Sequence, residues 1–129
     1  MTPWLRYVIA FFIFCHGFIY VRIGSVLPGP IKGWTGSSWL LGSLITDDRL
    51  RDLVVGLHVI AGLATIACAV AIGFTGLVPG GWRPLAIVGA AFGLAAFGVF
   101  WDGQARLLFE EGAVGAAVSL MLLVAAMTR

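Results

Sequence analysis

Four long apolar runs divide the chain, and prolines, glycines and charges collect in the breaks between them. The first run covers residues 4–26, WLRYVIAFFIFCHGFIYVRIGSV, and is long enough to cross a bilayer as a helix. It stops before Pro28-Gly29-Pro30, where two prolines forbid continuation. The second run begins after Thr46-Asp47-Asp48, a capping residue and two acids suited to a helix N-terminus, and predicts a helix over about 49–76. Pro79-Gly80-Gly81 makes a turn, and Pro84 in a first helical turn opens a third helix over about 84–101. Asp102-Gly103 breaks it, and the last run predicts a helix over about 106–127.

The segment 27–48 is not a polar linker. Lys32, Trp34, Trp39, Leu40 and Leu41 mix basic, aromatic and aliphatic groups, as at a membrane–water interface, and a short helix is expected near 38–44. All five tryptophans, Trp4, Trp34, Trp39, Trp82 and Trp101, fall at predicted helix ends or in this interfacial loop. Aromatic belts place tryptophan in this way. The expected architecture is a single domain: an all-α, integral membrane four-helix bundle with four crossings and both termini on the same side. Small residues spaced four apart, Gly89 with Gly93 and Gly112 with Ala116, offer faces on which backbones can approach closely.

Composition narrows the function classes. The chain is 60% hydrophobic and 11% charged, more apolar than a soluble domain of this length can bury. A net charge of +2 without a basic cluster gives no support for nucleic-acid binding. No small-residue cleavage site follows the first apolar run, so that helix is expected to be retained. Arg6, Arg83 and Arg129 mark one side of the bundle, and Arg22, Lys32, Arg49, Arg51 and Arg106 share the other with all six carboxylates.

The polar residues of the apolar runs fall at one depth. His16 lies nine residues before Ser25, and His58 nine after Arg49, on ends that share a side. Both therefore sit roughly 13 Å below that surface at a rise of ~1.5 Å per residue. Tyr20 is one turn from His16, and Arg51 two turns from His58. Arg22, Asp52, Trp101, Asp102, Arg106, Glu110 and Glu111 cluster toward the same end. Ionisable groups at membrane depth face protein or a wet cavity, because exposure to lipid is costly.

One reading is a small-molecule pocket formed by His16, Tyr20, Arg22, Arg51, His58, Trp101 and Asp102, holding a hydrophobic ligand such as a quinone, lipid or pigment. The alternative is that buried histidines and rim ion pairs only fix helix register. Arg22 can pair with Asp102 through two parallel hydrogen bonds or extend to the interface. The two histidines could also act as axial ligands of a haem or another tetrapyrrole, although no C-x-x-C-H attachment motif is present. Neither histidine has a second ligand at helical spacing, which argues against zinc or copper.

Cys15 and Cys68 differ in depth by ~13 Å, too far for a disulfide, whose Cα atoms must lie within about 7 Å. Residues 78–82 lack the lysine and hydroxyl residue of a phosphate loop. No Ser-His-Asp set or paired-carboxylate dyad can be assembled, since adjacent Glu110 and Glu111 point about 100° apart on a helix.

Cys15-His16-Gly17, Gly81-Trp82-Arg83-Pro84-Leu85 and Phe100-Trp101-Asp102-Gly103 occur in this order along the chain. In this it resembles small bacterial four-helix membrane proteins grouped with the DoxX-like proteins. The resemblance implies a multi-pass bundle of the bacterial inner membrane, with His16 and Asp102 as candidate site residues. DoxX-like proteins are associated with electron transfer toward quinone. Tyr20 and Arg22 follow the His-Gly pair here, where a lysine is frequent in that group. Two further roles stay open beside the ligand pocket. One is a structural or accessory subunit whose Gly/Ala faces pack on partner helices or on a second copy; the other is a DoxX-like redox component.

Overall fold

The protein is described by a computed structural model covering residues 2–25, 36–45, 47–78, 80–105, 108 and 112–128. Four α-helices follow one another: α1 (Pro3–Ser25), α2 (Asp47–Gly73), α3 (Trp82–Phe100) and α4 (Ala113–Met127), with a 3-10 turn at Gly42–Leu44 before α2. The expected all-α four-helix architecture is present, and the 3-10 turn lies within the segment where a short helix was expected. Lys32, Trp34, Arg106, Glu110, Glu111 and Arg129 lie outside the described residues.

The ends of the helices are set by local chemistry. Beyond α2, Phe74 N–H still donates to the Val70 carbonyl, and Leu77 N–H then bonds to Phe74. Gly76 next takes a left-handed φ of +96° that turns the chain, so α2 ends three residues before the expected 76. At the end of α3, Trp101 is extended, although its N–H still bonds to the Phe97 carbonyl. The largest departure is α4, which starts at Ala113 rather than near 106. Gly112 precedes it with φ +105°, a conformation that helix cannot continue through, and Ala113 N–H reaches back to the Leu108 carbonyl.

Of the four helices expected to cross a membrane, three, α1, α2 and α3, are long and apolar enough to do so among the described residues. At 15 residues, α4 spans only ~22 Å, short of the ~30 Å of hydrocarbon in a typical bilayer.

Small residues fill much of the interior, and many of the largest apolar ones lie outside. Ala61, Ala86, Ala90 and Ala96 are almost fully buried, whereas Phe11, Phe12, Phe18, Leu63 and Met121 are exposed. The helices meet backbone to backbone: a Cβ on Gly17 would stand 2.9 Å from the Gly62 carbonyl oxygen, and one on Gly62 2.7 Å from that of Gly17. On α3, Gly89 rests on Thr65 of α2, and Gly93 on Ser119 and Tyr20, so the expected small-residue face of this helix is in contact. On α4 the close approach is made by Gly115 instead of Gly112, because Gly112 stands before the helix rather than in it.

Two apolar clusters result. One joins Ala10, Ile13, Cys68, Ile72, Ala86, Ala90, Leu122 and Ala126 from all four helices. The other joins Leu50, Val54, Val99 and Phe100 with Ile23, Leu41 and Ile45. Arg6 Nη1 donates to Thr75 Oγ1 over 3.3 Å, and Arg83 Nη2 to the Thr128 carbonyl over 3.0 Å. The start of α1 thus lies beside the end of α2, and the start of α3 beside the end of α4. At the other end, Trp39 N–H donates to the Trp101 carbonyl over 2.9 Å and the two indoles meet edge to face. Residues 38–41 therefore rest against the end of α3. Cys15 and Cys68 are both free thiols.

Candidate functional site

Between the two apolar clusters lies a cavity of about 210 Å³, lined by His16, Ile19, Tyr20 and Ile23 of α1, His58 of α2, Phe97 and Phe100 of α3, and Gly112, Val114 and Gly115 around the start of α4. Every helix contributes because each places small or aromatic residues at this level. Gly93 and Gly115 leave room for the Tyr20 ring; a Cβ on either would come within 3.3 Å of its hydroxyl oxygen. Tyr20 is 6% exposed, and its hydroxyl shares a 3.1 Å hydrogen bond with Ser119 Oγ.

The rings form a chain of contacts. His16 meets Tyr20 at 4.8 Å between centroids, Tyr20 meets His58 at 5.5 Å, and His58 meets Phe100 at 5.6 Å. Edge-to-face and tilted pairings of this kind suit the positive edge and negative face of aromatic rings. His58 is 5% exposed, and its Nδ1 is 2.7 Å from the Val54 carbonyl oxygen. A carbonyl only accepts, so Nδ1 carries the proton, and Nε2 of the neutral ring is an acceptor. Nε2 is thus not used in that bond, and the ring that carries it lines the cavity. His16 Nε2, in contrast, is enclosed and without a hydrogen-bond partner.

Of the residues expected to form the site, His16, Tyr20 and His58 line one cavity. The others stand apart from it. Arg22 is exposed on α1, and Arg51 is half-buried outside the lining. Trp101 stacks on Phe97 at 6.0 Å and packs against Trp39. Asp102 accepts from Gln104 N–H at 2.8 Å and from Gln104 Nε2 at 2.9 Å. That carboxylate therefore shapes the turn after α3, where pairing with Arg22 had been one expectation.

Ser119, Phe97, Phe100 and Gly115 were not among the expected site residues. Ser119 carried a usable signal: it is the only hydroxyl in AVGAAVSLMLLVAAM, and a lone serine in such a helix needs a partner. The phenylalanines carried none, since the chain has nine of them.

A tetrapyrrole does not fit. A flat macrocycle clasped by both imidazoles would have to displace the Tyr20 ring that now touches each of them. The cavity is also of single-ring size, given that benzene occupies an engineered protein cavity of about 150 Å³. Among the described residues no group of three His, Cys, Asp or Glu could hold a metal ion.

The fold and site together define an all-α four-helix protein with an aromatic-lined cavity to which every helix contributes. Comparison with protein-family models, curated proteins and solved structures finds no match.

Proposed function

We propose that this is a small integral membrane protein that holds a small hydrophobic ligand in the cavity around Tyr20. In this reading α4 crosses with the others, its shorter length met by local thinning of the bilayer, so the termini lie on one side of the membrane and the carboxylate-rich end on the other. The distribution of side chains supports the membrane setting: alanines and glycines fill much of the interior, while Phe11, Phe12, Phe18, Leu63 and Met121 lie outside. In lipid there is no hydrophobic drive to bury large side chains, and close packing of small residues holds helices together.

The observation that carries the ligand reading is the cavity itself, walled by five aromatic or imidazole rings and reached by a deeply buried histidine with an acceptor atom to spare. Pockets for small molecules combine apolar walls with a few placed polar groups in this way. Purification in a mild detergent, followed by native mass spectrometry and an absorption spectrum, tests it. Retention of one small apolar mass per chain is the expected result. A visible chromophore would direct attention to redox chemistry, and stoichiometric partner subunits with an empty cavity would replace the reading by a structural role.

A further inference from the structure

We propose that the cavity selects an aromatic ring bearing one hydroxyl group, a phenol, whose O–H donates to Nε2 of His58. This rests on the reading of the cavity as a ligand site and adds what the ligand must present. The argument starts from the Val54 carbonyl. By accepting from Nδ1 it fixes the His58 tautomer, so Nε2 of this cavity-lining ring can accept and cannot donate. His58 is 5% exposed and buried among apolar neighbours, so an unmatched Nε2 is costly there. His16 lines the same cavity, but its Nε2 is enclosed, so Nε2 of His58 is the acceptor assigned to the guest in this proposal.

One acceptor calls for one donor. A carbonyl or ether oxygen facing Nε2 would set two acceptors against each other, whereas a hydroxyl supplies the single donor it needs. The remainder of the guest should be a ring, because His16, Tyr20, Phe97 and Phe100 offer faces and edges around a volume suited to one six-membered ring with substituents. The way in runs between α1 and α4: Ile19 and Val114 both line the cavity and are 57% and 62% exposed. On a membrane-embedded bundle these two residues open the cavity laterally to hydrocarbon, from which a phenol with an apolar tail can enter ring first.

The test compares phenol with toluene, which replaces the hydroxyl by a methyl of similar size, and with anisole, which keeps the oxygen but loses the donor. Each is titrated into the purified full-length chain in detergent at matched micelle concentration, with binding read by ligand-observed NMR and by the melting temperature. Phenol should bind roughly tenfold more tightly than toluene or anisole, the scale of one well-made hydrogen bond in a buried site. In protein carrying ¹⁵N-labelled histidine, phenol should shift the Nε2 resonance of His58 and leave its Nδ1 resonance in place. His58→Phe should abolish the preference for phenol while toluene still binds. If that variant does not fold, the three-compound series and the ¹⁵N shift on the unaltered protein decide alone. Equal binding of all three compounds, or a preference for anisole, overturns the proposal and leaves the ligand cavity standing. Failure of all three to bind a chain shown to be ligand-free overturns the cavity reading as well.

Discussion

Tyr20 Oη on α1 and Ser119 Oγ on α4 lie 3.1 Å apart although 99 positions separate them in the chain. The bond ties the first helix to the last at the level of the cavity. Ser119 is 1% exposed, so Tyr20→Phe leaves its hydroxyl without this partner, and Ser119→Ala does the same to the phenol. Each substitution is expected to cost about 1–2 kcal/mol. Because they break the same bond, the double variant should cost clearly less than the sum. Reversible unfolding of the three variants in detergent measures this coupling, and strict additivity would deny the bond an energetic role.

The crossing of α1 and α2 depends on two glycines. A methyl on Gly17 or Gly62 meets the opposing backbone oxygen at 2.9 or 2.7 Å, closer than van der Waals contact allows, and backbone cannot swing aside as a side chain can. Gly17→Ala and Gly62→Ala should each cost about 1–3 kcal/mol. By contrast, Gly56→Ala should be neutral or stabilising, since nothing stands within 4 Å of its Cβ position. Melting temperatures of the three variants compare the sites directly.

His16 and His58 line the cavity in different ways, and leucine at either position should show it. His58→Leu removes the acceptor and is expected to release any copurified ligand. Leucine at position 16 should be better tolerated, because it replaces an enclosed, unpartnered nitrogen with apolar atoms. Mass spectrometry of the purified variants reads retention and thermal unfolding reads stability. No change in either quantity for both variants would remove the basis of the ligand site.

Arg22 is exposed near the end of α1, where a long cationic side chain can carry its charge to the interface while its stem stays on apolar surface. Lysine does this equally well, so Arg22→Lys should lie within ~0.5 kcal/mol of the parent. Asp102→Ala should cost about 0.5–1.5 kcal/mol, because it removes both hydrogen bonds to Gln104 in the turn after α3. A large loss from the conservative arginine change would restore a paired role for that residue.

Single cysteines placed at positions 2 and 128, in a chain whose Cys15 and Cys68 have been replaced, should react with an impermeant probe from the same side of the membrane. Arg6 bound to Thr75 and Arg83 bound to Thr128 motivate this, since the turn between α2 and α3 then lies beside both ends of the chain. Labelling from opposite sides would break the proposed topology.

The existence and order of the four helices were legible in the sequence, because apolar runs, prolines and glycine turns act within a few residues of themselves, whereas the start of α4 at Ala113 was not. Depth was legible as well: the constant rise of a helix set His16 and His58 at one level, and both line the same cavity. Rotation about the helix axis was not. α4 is apolar on every side, so its residues carry no periodic record of which face turns inward, and only packing showed that Gly115 and Ser119 do so. Packing also left Arg22 outside and turned Asp102 onto Gln104, although both share an end of the bundle with the histidines. The sequence by itself determined how far along the bundle each polar group sits. The tertiary structure alone decided which groups face one another, because partners on different helices are chosen by the close approach of backbones at Gly17, Gly62 and Gly89.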